Sequence, residues 1–215
     1  MRLYSAVLLL SLLAPPGQAA APDALEVLRE SLEPPAKPYT AELEVSRFDV
    51  PGRQGVARRM KVGFSPPDLY RREILGPKGE MVHLIVQDGR SEWIYDEPRG
   101  KVWQGEPADP LYKRFGPDEE FERLSRNYDV SSTTAGPVAG RAVWLLELRA
   151  RANGALRRRF WVDKKDFLVL QSEAFRPDGS LASSMRYTRL EAGGKQSPEL
   201  FRFSPPRGLV VSRRV

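Results

Sequence analysis

Between residues 39 and 64 apolar and polar positions alternate. In YTAELEVSRF, Tyr39, Ala41, Leu43 and Val45 alternate with Thr40, Glu42, Glu44 and Ser46; in GVARRMKVGF, Val56, Met60, Val62 and Phe64 alternate with Ala57, Arg59, Lys61 and Gly63. A period of two puts successive side chains on opposite faces of a strand, one hidden and one wet. Pro51-Gly52 between the two runs marks a turn. The same rhythm predicts strands over 68–75, 80–87, 91–96 and 101–104, separated by Pro77-Lys78-Gly79, Asp88-Gly89 and Pro98-Arg99-Gly100. It resumes over 128–134, 141–150, 156–163, 167–175 and 181–190, where Asn153-Gly154 and Asp178-Gly179 are hairpin turns. Such short intervals imply an antiparallel meander, because parallel neighbours need long crossovers.

Two stretches follow the helical period instead. In PDALEVLRESLEPP, Leu25, Leu28 and Leu32 fall at i, i+3 and i+7, and Pro34-Pro35 forbids continuation. From Pro117 to Asn127, the acids Asp118, Glu119 and Glu120 suit the positive end of a helix and Arg123 and Arg126 the other. Strands in sequence, two helices and no βαβ alternation predict a mainly β (α+β) fold: one curled antiparallel sheet with helices packed into its concave face.

The alternation nominates a single concave apolar wall. Its candidates are Leu43, Val45, Met60, Val62, Leu84 and Val86, then Trp93 and Tyr95, and finally Leu146, Leu148, Phe160, Val162 and Met185. The two helices offer few apolar side chains against so many, Phe121 and Leu124 being the second helix's share, so that helix is a candidate lid. The mismatch leaves room for an unfilled apolar cavity, the usual form of a lipid-binding site.

Composition narrows the setting. One early positive charge (Arg2), an apolar run from Ala6 to Ala14, a Pro15-Pro16-Gly17 break and alanines at 19–21 have the layout of a secretory signal peptide, too short to span a bilayer. Residues 1–20 are therefore expected to be a leader, and 21–215 one domain in the periplasm, not lipid-anchored and monomeric. The chain of 215 residues has no cysteine, so it holds no disulfide. Its formal net charge of +6 is spread over scattered basic residues, the pattern of a solvated surface, and export makes nucleic acid an unsuitable partner.

Candidate chemistry changes little. His83 is the sole histidine and sits in the strand-like MVHLIVQ. Gly-x-Ser-x-Gly and His-Glu-x-x-His are absent, and the glycines fall singly at turns, outside any phosphate-binding loop. Neither a catalytic residue nor a metal or cofactor site is expected. Paired carboxylates, as in glycoside hydrolysis, are the residual enzymatic option.

Three stretches carry a resemblance: DGRSEWIYDEPRGKVWQ (88–104), FWVDKKDFLVLQSEAFRPDGSLASSMRYTRLE (160–191) and SPELFRFSPPRGLVV (197–211). An Asp-Gly turn before Trp-x-Tyr, a Trp-Val-Asp strand followed by an x-Asp-Gly-x turn, and a late Phe-x-Phe-x-Pro segment occur in that order. In this the chain resembles the outer-membrane lipoprotein-sorting superfamily, which holds LolA, LolB and the N-terminal domain of RseB/MucB. The resemblance implies a half-open barrel of about eleven antiparallel strands closed on one side by short helices. It also implies a non-enzymatic binder or carrier of lipoprotein acyl chains or lipid, with an inner- or outer-membrane protein as possible partner. Its alternative is an RseB-like regulator that binds an anti-sigma factor and senses lipoprotein.

Overall fold

The computed structural model describes residues 23–49, 55–107 and 116–213. The leader at 1–20 and the Pro51-Gly52 turn lie outside these residues. Helix α1 (Ala24–Leu32) opens with Asp23, whose carboxylate accepts from the Leu25 backbone N–H at 3.0 Å, and ends at Glu33, extended before Pro34. Helix α2 (Pro117–Asn127) starts on Pro117, which lacks the N–H that a first turn leaves unpaired anyway.

Among the described residues twelve strands form one sheet. In chain order they are β1 (Tyr39–Arg47), β2 (Val56–Ser65), β3 (Leu69–Leu75), β4 (Met81–Asp88), β5 (Glu92–Asp96), β6 (Lys101–Gly105), β7 (Tyr128–Val138), β8 (Arg141–Ala150), β9 (Leu156–Asp163), β10 (Val169–Phe175), β11 (Leu181–Ala192) and β12 (Val211–Arg213). Their order across the sheet is β12-β6-β5-β4-β3-β2-β1-β11-β10-β9-β8-β7. Two meanders, β1 to β6 and β7 to β11, thus meet where β1 pairs antiparallel with β11. Among the described strands only β12 runs parallel to its neighbour, β6. The expected curled antiparallel sheet with two helices is what the chain forms. Gly154 (φ +67°) and Gly179 (φ +83°) take the left-handed conformation in the two predicted hairpin turns.

Directly opposed residues of antiparallel strands share a face, so the register sorts every side chain. The helices cover one face of β7 to β10. There Leu146, Leu148 and Val162 are fully buried against Val27, Leu28 and Leu124, with Phe121 and Phe160 beside them. Arg29 lies 3.8 Å over the Phe121 ring and forms a 3.3 Å ion pair with Asp118, tying α1 to α2. The same face continues through Met185, Val45, Leu43 and Met60 into the cluster of Tyr39, Ala41, Val62, Phe64 and Tyr70.

From β3 onward the apolar side changes. Lys61 opposes Glu73, which opposes Leu84, Tyr95 and Val102 in turn, and Gly63 opposes Arg71, Val86 and Trp93. These residues share the face away from the helices. A short 3₁₀ turn at Pro198–Phe201 and the segment after it cover them: Phe203 sits 5.8 Å from the Trp93 ring and 5.7 Å from Tyr95. The Leu200 side chain lies over Gly63, where a β-carbon would come within 2.9 Å of it. Arg71 donates to the Leu200 carbonyl at 3.3 Å. The helix-side positions of β4 and β5 hold the buried polar groups Gln87, Glu92 and Asp96, with Gln87 donating to Glu92 at 2.8 Å.

Candidate functional site

A cavity of about 500 Å³ opens beside the C-terminal end of α1. Its floor is Tyr39 on β1 and Met185 and Tyr187 on β11, and one wall is Phe167, Leu168 and Val169 entering β10. Pro34, Pro35 and Ala36, between α1 and β1, form the other wall. Its size lies within the usual range for small-molecule sites, roughly 300–1,000 Å³. Aromatic and aliphatic side chains make the interior, while Glu30, Glu33, Lys37, Lys165 and Asp166 stand around it.

The polar atoms of the floor are phenols. Burial pushes the Tyr39 hydroxyl well above its ordinary range, and the neighbouring Tyr187 adds to the shift; burial likewise raises Tyr187, which hydrogen-bonds Tyr39. Tyr70, in the same apolar cluster, is pushed up to about 12 by burial despite the nearby Arg72. All three stay neutral at ordinary pH, and Tyr39 and Tyr187, which line the cavity, present an uncharged surface to an occupant. Tyr39 also packs on Phe64, with ring centroids 5.6 Å apart.

The charges at the mouth are organised by the β9–β10 turn. Arg141 on β8 donates to both Asp163 oxygens, at 2.9 and 2.7 Å, and to Asp166 at 2.5 Å. Asp163 accepts from the backbone N–H groups of Lys165 and Asp166, closing the turn on itself. Lys37 donates to Asp166 at 2.8 Å across the mouth. The Lys37 ammonium and then the Arg141 guanidinium hold the Asp166 carboxyl below its ordinary range.

A smaller cleft of about 260 Å³ lies on the face away from the helices, beside Leu200. Its lining includes two ion pairs, Arg71–Glu73 at 2.7 Å and Arg189–Glu191 at 2.6 Å, together with Glu42 and Lys61. Among the described residues no group of three or more His, Asp or Glu is placed to hold a metal ion, and no helix is long and apolar enough to cross a membrane.

The residues nominated from the sequence divide between the two faces. Leu43, Val45, Met60, Val62, Leu146, Leu148, Phe160, Val162 and Met185 share the helix-bearing face; Leu84, Val86, Trp93 and Tyr95 lie on the other. Of the thirteen, Met185 lines the cavity. Leu146, Leu148 and Val162 are packed beneath the helices, and Phe121 and Leu124 of α2 pack into that same core. Sequence reasoning missed Tyr39, Phe167, Leu168, Val169 and Tyr187. The apolar run Phe167-Leu168-Val169 directly after an Asp-Lys-Lys-Asp turn was the signal that could have found the wall.

Comparison with known proteins gives one family. The model of the MucB/RseB N-terminal domain matches residues 78–203, from the turn before β4 through the segment that covers Trp93. An uncharacterized protein of Methanocaldococcus jannaschii is 25% identical over 127 residues, 58% of this chain and 36% of that protein. Among solved structures, the Pseudomonas aeruginosa MucA/MucB complex aligns with a TM-score of 0.51 at 16% identity, over 84% of this chain and 59% of that one. An uncharacterized conserved protein of Thermus thermophilus aligns with a TM-score of 0.55 at 16% identity, over 89% of this chain and 97% of that one. At these identities the structural likeness is one of fold. The chain spans about a third of the archaeal relative and under two thirds of the MucB chain.

Proposed function

Since the chain belongs to the MucB/RseB N-terminal domain family, we propose that it is a non-enzymatic protein of the bacterial envelope that shelters an acyl chain of a lipid or lipoprotein. The observation that carries this reading is the cavity of about 500 Å³ floored by Tyr39, Met185 and Tyr187. An acyl chain gains about 0.8 kcal/mol per buried CH₂, so a carrier needs an apolar enclosure and an exit and no covalent chemistry. Neutral phenols on the floor supply hydroxyls for an ester or amide carbonyl without desolvating a charge. In this reading residues 1–20 are a leader, 21–215 act as one periplasmic monomer, and cargo passes to a membrane protein that binds it more tightly.

The test is native mass spectrometry of the protein purified from a bacterial periplasm, followed by organic extraction. A lipid or acylated peptide in defined ratio, lost in Met185→Glu, supports the reading. A protein that comes out empty and takes up no fluorescent fatty acid refutes it.

A second reading is a regulatory module that engages a protein partner, as in the solved MucA/MucB complex. The edge of the sheet favours it. Strand β7 is hydrogen-bonded to β8 on one side and, among the described residues, to no strand on the other. Over Asp129–Ala135 it carries neither lysine nor proline, the residues that commonly protect such edges. An extended segment of a partner could add a strand there. Co-purification of a stoichiometric membrane-protein segment, insensitive to Met185→Glu, would favour this reading over the carrier.

A further inference from the structure

The mouth of the cavity is crossed by a segment that the fold hardly holds. After α1 the chain runs Glu33-Pro34-Pro35-Ala36-Lys37-Pro38 before entering β1. The prolines fix φ and lack N–H groups, so the segment joins neither helix nor ladder. Glu33, Pro34, Ala36 and Lys37 are exposed. Among the described residues, the hydrogen bond from Lys37 to Asp166 is the only one made by residues 34–37.

The opposite side of the mouth is built differently. The Asp163 side chain is 2% exposed and is gripped by Arg141 while it caps its own turn. That turn delivers two groups. Phe167, at φ +54°, packs into the cluster beneath α1, and the Asp166 carboxylate faces Lys37 with Arg141 behind it. One wall is fixed from three directions; the other is anchored at its ends, where the Glu33 N–H donates to the Glu30 carbonyl at 3.3 Å and the Pro38 carbonyl accepts from the Gly193 N–H at 2.8 Å, and between those ends it is tied at Lys37.

We propose that residues 34–37 are a strap that opens and closes the cavity, hinged at Glu33 and Pro38 and fastened by Lys37 to an Asp166 carboxylate that Arg141 and Asp163 hold in position. The proposal rests on the reading of the cavity as an acyl-chain site. It places the moving part in the linker, whereas Phe121 and Leu124 of α2 are locked in the core by contact with Leu146 and Leu148. The Lys37 side chain is 56% exposed and the Asp166 side chain 12%, so water screens the pair from the lysine side. A pair of this kind shifts an open–closed equilibrium about two- to fivefold, enough to favour the closed strap and weak enough to yield to an entering chain.

The sequence contains no cysteine, so K37C/D166C joined by a short bis-maleimide tethers these two positions alone. Stopped-flow uptake and release of cis-parinaric acid then read the gate. The tethered protein is expected to exchange the probe on the order of tenfold more slowly than the same variant before linking, as when a closing loop is held shut. K37A is expected to exchange about two- to fivefold faster than wild type, losing most of its salt dependence. A control tether across α1 and α2, R29C/D118C, should leave the rates unchanged. Equal rates in the tethered and untethered K37C/D166C forms overturn the strap while leaving the cavity reading intact, and slowing by the R29C/D118C tether instead would move the gate to the helices. Wild-type protein that binds no probe at equilibrium removes the cavity reading itself and the strap with it.

Discussion

Arg141 holds Asp163 through two parallel hydrogen bonds of 2.9 and 2.7 Å, and the carboxylate it holds is almost wholly shielded from water. A guanidinium matches a carboxylate in this forked geometry, which an ammonium cannot reproduce. Arg141→Ala leaves the Asp163 charge without its cation. Breaking a buried pair costs about 3–5 kcal/mol, and the partial exposure of Arg141 lowers the expected loss to about 2–3 kcal/mol in urea unfolding. Arg141→Lys should fall between the alanine variant and wild type.

The Lys37–Asp166 pair makes a pH-dependent contribution of defined sign. The Lys37 ammonium, then Arg141, depress the Asp166 carboxyl below its ordinary 3.8 in the folded protein. A depressed carboxyl stabilises the fold fully above its unfolded pKa, and that contribution is lost as pH falls through the folded value. The stability difference between wild type and Asp166→Asn should therefore be constant from pH 7 to about 5 and shrink as acid is added below about pH 4. Parallel chemical unfolding series of the two proteins at neutral, mildly acidic and strongly acidic pH measure it. A difference that grows towards acid would contradict the assignment.

Trp93 and Met185 should separate stability from binding. Trp93 packs on Phe203 on the face away from the helices, whereas Met185 lies on the cavity floor. Trp93→Ala is expected to cost about 2–3 kcal/mol, since the site is partly exposed, and to leave the affinity for fluorescent fatty acid unchanged. Met185→Glu should weaken that affinity by about tenfold or more, because a carboxylate on an apolar floor must be desolvated when the chain enters. Both effects can be read from one set of samples by fluorescence titration and thermal unfolding.

Leu124 tests whether the helices belong to the folded core. It is 1% exposed and packs with Leu28, Leu146 and Leu148. Leu124→Ala should destabilise the protein by about 3 kcal/mol and loosen both helices together, because α1 and α2 share this cluster. Hydrogen exchange should show protection falling in 24–32 and 117–127 in parallel.

Much of this fold is legible in the sequence because the alternation of apolar and polar residues is a local property. The strand at 141–150 and the helix at 117–127 lie where their patterns place them. What alternation does not carry is which face meets the helices. His83, Leu84, Ile85 and Val86 read as a strand whichever way they point, and the choice is made by Leu200, Phe201 and Phe203, more than 100 residues away along the chain. The cavity was hidden for a related reason. Tyr39 alternates with Ala41, Leu43 and Val45, but the period does not tell that its end of the strand lies beneath the 34–36 linker, and Phe167 sits in a turn at positive φ outside any such run. Asp163 reads as the polar end of the strand over 156–163, and the grip of Asp163 and Asp166 on Arg141 depends on packing that brings β8 beside the following turn.

The pairing of β1 with β11 also governs how the chain can assemble. The Thr188 hydroxyl donates to the Glu42 carbonyl across 146 residues of sequence, at the centre of the sheet. The first meander can zip up from its hairpins as the chain is made, but its β1 side stays unpaired until β11 arrives. Closing so long a loop is slow and is rewarded only at the end. In the interval Glu42 and Glu44 stand on that waiting edge, where like charges discourage a second nascent chain from pairing in place of β11. Both glutamates are exposed in the finished protein, so the charge on this edge matters most while the sheet is incomplete.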